Sequence, residues 1–305
     1  MSSLSLRTAS SLSQVPRDAW NAVANPASQA YDPFLNWDFL DAMERSGAAR
    51  PETGWSPVHI LIENGSGELV AAMPLYAKTH SQGEFIFDHS WADAYMRAGG
   101  AYYPKLLSAI PFTPVTGRRR LVRDGEADAE GLKNALLAGA VQLARDNDLS
   151  SLHLNFVTDG EYDALGEAGL LLRTDQQFHF ENKGYDSFDD FLAELSSAKR
   201  KNLRKERLKA QEGLRIEWIT GDALTSEHWD IFYEFYMDTG SRKWGSPYLN
   251  RLSFELLHSR MANDILLVFA YDGETPIAGA LNFIGSETLY GRYWGCMDEF
   301  DSLHF

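Results

Sequence analysis

Apolar residues recur at helical spacing through Phe34, Leu35, Phe39, Leu40 and Met43 and stop just before Gly47, so a helix closed by a C-cap glycine is expected over 34–45. Residues 1–30 are Ser-rich with little periodicity and read as a tail or a loosely attached first element. Val58 to Ile62 and Leu69 to Tyr76 are apolar runs split by Glu63-Asn64-Gly65-Ser66-Gly67-Glu68, the chemistry of a hairpin turn. Over 81–117, Phe85, Phe87, Trp91, Tyr95, Tyr102, Tyr103 and Phe112 alternate with Gly and Pro, which predicts an irregular, partly buried aromatic wall. A helix from Glu126 to Arg145 follows on the stripe Leu132, Leu136, Ala140 and Leu143, with acids first and Arg last. Leu152 to Phe156 and Leu170 to Phe180 read as strands.

Asn182-Lys183-Gly184 marks a boundary, because Ser187 and Asp190 then resemble a capping box ahead of the stripe Phe188, Phe191, Leu192 and Leu195. Aromatic-rich helices are expected near 229–237 and 248–260. Ile265 to Tyr271, Ile277 to Ile284 and Leu289 to Trp294, separated by Asp272-Gly273 and Gly285-Ser286, read as an antiparallel meander. Segregation of helices from antiparallel strands points to an α+β fold rather than a doubly wound sheet. Two domains result, 31–183 and 184–305, the size expected of 305 residues.

Charge changes the picture more than composition does. The chain carries 28 Lys+Arg against 43 Asp+Glu, a formal charge of −15, so its average field repels nucleic acid and phosphorylated ligands. Yet Lys199 to Lys209 holds seven bases and one acid, +6 set in a body of −21. If the helix runs on from Phe188, Lys199 falls within the apolar stripe and the bases ring the axis. Contact with a polyanion such as phosphate or RNA explains that; a solvated helix end complementing its dipole is the alternative. The single cysteine, Cys296, excludes a disulfide framework, and a reducing, cytoplasmic setting is expected in the absence of a signal peptide or membrane-spanning run.

Nucleophile-elbow, P-loop and zincin motifs are absent, and the scattered histidines, His304 among them, give no metal spacing, so no metal is expected. Asp88-His89-Ser90-Trp91-Ala92-Asp93 sets His89 between two carboxylates, as a general base or as a half-buried structural histidine. His153 and His179 read as structural. Arg292-Tyr293-Trp294-Gly295-Cys296-Met297 narrowly misses R-x-x-G-x-[GA], the pyrophosphate turn of acyl-CoA-dependent acetyltransferases, because Met297 replaces the small residue.

Longer strings carry a resemblance. Phe87-Asp88, Trp91-Ala92-Asp93-Ala94-Tyr95, Tyr102-Tyr103-Pro104-Lys105-Leu106, Pro111-Phe112-Thr113-Pro114, Lys199-Arg200-Lys201, Trp244-Gly245-Ser246-Pro247-Tyr248 and Tyr290-Gly291-Arg292-Tyr293-Trp294-Gly295 make the chain similar to a bacterial family of N-acyltransferases related to the Fem aminoacyl transferases of peptidoglycan bridge synthesis. The resemblance implies two tandem GNAT-like domains with mixed, largely antiparallel sheets, the second ending early at Leu303-His304-Phe305. It implies transfer from acyl-CoA or aminoacyl-tRNA to a small-molecule or peptidoglycan-precursor amine. Lys199, Arg200, Lys201, Arg204 and Lys205 would hold donor phosphates or tRNA. Tyr102, Tyr103 and Lys105, with Asp88, His89 and Asp93, would line the acceptor pocket, an acid or His89 taking the amine proton. Arg292 and Tyr293 would sit near the transferring carbonyl. A non-catalytic module holding RNA or a phosphorylated ligand on the basic helix, and a docking surface for an acidic partner or a second copy, are the alternatives.

Overall fold

The computed structural model describes residues 3–242 and 246–297. Its first half carries strands β1 (Ser5–Ala9), β2 (Trp55–Pro57), β3 (His59–Glu63), β4 (Leu69–Met73), β5 (Tyr76–Lys78), β6 (Lys105–Ser108), β7 (Leu121–Val122) and β8 (Leu152–Leu154). Its second half carries β9 (Leu214–Thr220), β10 (Ile265–Asp272), β11 (Thr275–Ile284) and β12 (Leu289–Cys296). Helices α1 (Arg17–Ala24), α2 (Trp37–Arg45), α3 (His89–Arg97), α4 (Ala129–Asp146), α5 (Asp159–Glu167), α6 (Phe188–Ala193), α7 (Ser197–Gln211), α8 (Ser226–Arg242) and α9 (Arg251–Met261) flank them. The strands form three four-stranded sheets, ordered β1-β3-β4-β7, β2-β5-β6-β8 and β12-β11-β10-β9. Only the β6–β8 pairing is parallel among these ladders, which makes the fold α+β with mixed sheets.

The expected hairpin over 58–76 forms, but each arm is broken near a proline, Pro57 or Pro74, that cannot donate to a ladder. Its outer arms, β2 and β5, therefore leave the β3–β4 pair and join the second sheet. The Val58 N–H donates to the Leu75 carbonyl at 2.8 Å across the break. The α4 stripe Leu132, Leu136, Ala140 and Ala144 is buried against Ile60, Ile62, Val70 and Ala71.

Three expectations are corrected, and one strand was not foreseen. Residues 3–30, expected as part of a tail, do not form one: β1 pairs antiparallel with β3, and Trp20 is fully buried with its indole N–H on the Leu35 carbonyl. Burial of one large aromatic is enough to anchor a segment that periodicity missed. Residues 170–180 form no strand and are almost wholly exposed. The helix expected to run from Phe188 through Lys199 breaks at Glu194–Ser196 into α6 and α7, so Lys199 does not sit in the apolar stripe of α6. The strand β9 escaped notice because Leu214–Thr220 is only half buried, at a sheet edge. Trp244, Gly245 and Leu303-His304-Phe305 lie outside the described residues.

The largest apolar cluster is shared by both halves: Ala9, Trp20, Phe34, Phe39 and Trp55 pack in one body with Trp229, Phe232, Phe254, Phe269 and Phe283. Phe34 meets Phe283 at 5.1 Å, and α2 packs on α9. Across this seam the buried Asp41 carboxylate takes Arg260 at 2.5 Å, and the Tyr31 hydroxyl donates to Asp264 at 2.9 Å.

Candidate active site

The aromatic wall encloses charge. Lys105, on β6, is fully buried, and its ammonium donates to Asp88 Oδ2 at 2.7 Å, Glu84 Oε2 at 2.9 Å and Ser81 Oγ at 2.9 Å. Tyr102 donates its hydroxyl to the same Asp88 oxygen at 2.7 Å, and the Tyr103 hydroxyl pairs with Ser81 Oγ at 2.8 Å. Burial raises the Asp88 carboxyl, but hydrogen bonds from Lys105, Ser81 and Tyr102 outweigh it and hold the group at about 2. Burial raises Glu84 against the pull of Lys105. Lys78, its ammonium 3.7 Å above the Trp55 ring, is brought down to about 7 by burial, with Glu84 opposing.

The loop reaches this cluster through strained backbone: Phe85, Phe87 and Phe112 stand at φ of +60°, +48° and +58°, the left-handed region that bulky residues avoid. Gly83 turns at φ +77°, where an added Cβ would lie 2.6 Å from the Phe112 ring. Phe112 in turn packs on Trp55 at 5.2 Å and stacks on Tyr248 at 5.1 Å.

Phe112 is also the link to a second feature. Between β11 and β12 the register slips, so that Leu281 faces Tyr293 while Asn282 faces Gly291, leaving Arg292 as the extra residue of a β-bulge. The bulge turns the Arg292 guanidinium onto the Phe112 carbonyl at 2.5 Å, and the Tyr293 hydroxyl lies 3.4 Å from the same oxygen. Burial raises the Tyr293 phenol. Arg292 lines an open cleft of about 520 Å³ on the face of the third sheet, with Trp218, Asn282 and Trp294 on its strands and Arg207 and Gln211 reaching in from α7.

Helix α7 is almost wholly exposed, burying only Ala210. Arg204 pairs with Asp189 at 2.7 Å and Arg200 donates to the Ala193 and Leu195 carbonyls, whereas Lys199, Lys201 and Lys205 point to solvent.

Of the residues singled out by sequence, Asp88, Tyr102, Tyr103 and Lys105 come together in the buried cluster, and Arg292 and Tyr293, which line the cleft, reach the Phe112 carbonyl. His89 opens α3 and, with Asp93, faces solvent outside the cluster. The sequence reading missed Ser81, Glu84 and Lys78. The signal available for them was a Lys and a Glu placed in runs of aromatic and apolar residues, where a charge needs a partner. Arg207 was read only as one base of the run, yet it is the one that enters the cleft.

Among the described residues no group of three or more His, Cys, Asp or Glu is placed to hold a metal, and no helix is long and apolar enough to cross a membrane. The profile of a family described as FemAB-like, peptidoglycan biosynthesis/recognition, matches residues 11–305. No curated protein matches the chain. A tandem GNAT protein from the clavulanic acid biosynthesis pathway, 12% identical, aligns over 99% of this chain and 83% of its own with a TM-score of 0.41. The L-PGS of Bacillus licheniformis, 10% identical, aligns over 89% and 68% with a TM-score of 0.44. Likenesses this distant decide nothing about activity.

Proposed function

The chain belongs to the FemAB-like family of peptidoglycan biosynthesis and recognition, and from that membership we propose that it is an acyltransferase. In this reading it moves an acyl or aminoacyl group from a CoA- or tRNA-linked donor to an amine, on two GNAT-like units that meet near residues 182–184. The observation that carries the reading is the bulge that sets Arg292 in an open cleft, because bulges re-aim side chains beside active sites.

The chemistry asks little of the protein. The acceptor's neutral amine attacks the donor carbonyl, a C–N bond forms, the donor's C–S or C–O bond breaks, and one proton leaves the amine. Arg292, already held by the Phe112 carbonyl, is placed to stabilise charge on the carbonyl oxygen without reorganising. Arg207 offers the same cleft a second cation for an anionic part of the donor. On the acceptor side Tyr102, Tyr103 and Lys105 make the wall. Asp88, held far below neutrality, is a poor proton acceptor, which leaves the exposed imidazole of His89, at the start of α3, to take the amine proton.

The test incubates the chain with radiolabelled acyl-CoA and aminoacyl-tRNA pools and amines that include peptidoglycan precursors. Transfer to an amine, reduced by about 10²–10³ in kcat/KM by Arg292→Ala, with the melting temperature lowered by only a few degrees for the lost bond to the Phe112 carbonyl, is expected. No transfer from either donor to any amine overturns the reading. The outward lysines of α7 favour a second reading, a non-catalytic module for RNA or a phosphorylated ligand. Salt-dependent binding that charge reversal at Lys199, Arg200 and Lys201 abolishes, without any turnover in the wild type, would establish it.

A further inference from the structure

The segment between the two halves builds an aromatic pocket that the acyl-transfer reading leaves unused. Phe180, Tyr185, Phe188 and Phe191 line a second opening of about 440 Å³ together with Asn182 and Asp186. Their rings are mutually packed: Phe180 meets Phe191 at 5.4 Å, Tyr185 meets Phe191 at 5.7 Å, and Phe188 meets Phe191 at 5.8 Å. The mouth stays open, with Phe180 68% and Phe188 38% exposed. Exposed aromatic surface of this kind is costly unless something covers it.

Charge identifies the occupant. Residues 180–194 carry five acids, Glu181, Asp186, Asp189, Asp190 and Glu194, and one base, Lys183. The Tyr185 hydroxyl donates to Glu194 at 2.5 Å, which adds electron density to that ring's substituent and holds the ring in place. A cation already uses this wall from outside: the Arg207 guanidinium lies 4.3 Å over the Phe188 ring, and Arg204 pairs with Asp189. Ring faces with a carboxylate rim attract a weakly hydrated cation and repel anions, whereas a neutral apolar group gains only the contact area.

We propose that the Phe180–Phe191 pocket binds an organic ammonium group. The aromatic lining meets the cation and Asp186, the carboxylate on that lining, supplies the counter-charge. The site is separate from the Arg292 cleft, although Arg207 borders both, and it stands whether or not the chain transfers acyl groups.

Ligand-observed NMR and calorimetric titration of the full chain at fixed ionic strength test this with three probes. Choline presents a quaternary ammonium, ethanolamine a primary one, and 3,3-dimethylbutan-1-ol is the uncharged carbon isostere of choline. One ammonium probe is expected to bind at least about tenfold more tightly than the isostere, and its identity says which ammonium type the pocket takes. Phe180→Leu, at an exposed position that keeps apolar volume but removes the ring face, is expected to abolish that preference; Asp186→Asn is expected to weaken it severalfold. Thermal melts of both variants confirm folding. Equal affinity for the ammonium probes and the isostere, no binding of any probe, or a preference that survives the Phe180→Leu/Asp186→Asn double variant overturns the proposal.

Discussion

Replacing Lys105 with Met keeps most of the side-chain volume and removes a charge that two carboxylates share. In the wild type one ammonium serves Glu84 and Asp88, and both acids are buried. Moving the Asp88 carboxyl from 3.8 to about 2 corresponds to about 2 kcal/mol of stabilisation at neutral pH. Because this pKa is depressed on folding, that contribution is present above the unfolded value and is lost as pH falls through about 2. Without Lys105 the sign reverses. Burial is then opposed only by Ser81 and Tyr102 at Asp88 and by Lys78 at Glu84, so both folded pKa values move up, Glu84 further above its unfolded value, and the penalty grows as pH climbs above 4. Breaking a buried pair from one side costs about 3–5 kcal/mol, which at about 2 °C per kcal/mol for a chain of this length lowers the melting temperature by roughly 6–10 °C at pH 7. The assay is thermal and urea unfolding at pH 7 and pH 4, followed by tryptophan fluorescence. The loss at pH 7 should shrink by half or more at pH 4, and adding Glu84→Gln and Asp88→Asn should recover part of it. A loss below 1 kcal/mol, or one that is the same at both pH values, refutes the reasoning.

Other outcomes follow from the same geometry. Gly83→Ala, with φ +77° and Phe112 at 2.6 Å from the new Cβ, should cost about 1–3 kcal/mol in urea unfolding, and weaken any activity that depends on Arg292 through the displaced Phe112 carbonyl. Arg260→Met strips the inter-half ion from the buried Asp41, which retains Arg45 at 3.2 Å; a loss of about 1–3 kcal/mol is expected by urea denaturation. Reversing Lys199, Lys201 and Lys205 to Glu should leave the melting temperature within about 2 °C while eliminating retention on a polyanionic resin at moderate salt.

Much of the fold was legible because its elements bury one face. The α4 stripe, the 58–76 hairpin and the C-terminal meander all announce themselves by periodicity, and they lie within a few residues of the expected positions. The failures share a cause as well. Residues 5–24 are held by a strand pairing and by one indole rather than by a repeating stripe. Leu170 to Phe180 has apolar residues at both ends but no partner strand among the described residues, so the segment stays largely exposed. The break between α6 and α7 lies at Glu194-Leu195-Ser196, where Ser196 caps nothing through its side chain and periodicity gives no sign of a stop. At the site, the aromatic wall and its Tyr, Asp and Lys residues were visible as chemistry-bearing types, and their convergence was not. That convergence depends on the proline-broken hairpin arms, which carry β2 and β5 into a second sheet, where β5 pairs with the β6 strand that bears Lys105. The bulge at Arg292 has no sequence signal either, since it is a difference in count between two strands.

The core that runs through both halves has a consequence for how the protein behaves as a chain. Neither half closes its own interior: Phe34 and Phe39 pack on Phe283, and Asp41 takes Arg260 from α9 beside its own half's Arg45. Expressed alone, each half would present that seam to water and associate through it. In the intact chain the two should melt as a single cooperative unit, and the connecting segment can be nicked by a protease without releasing either side. The boundary near residue 183 is thus a joint in the sequence across which folding is continuous.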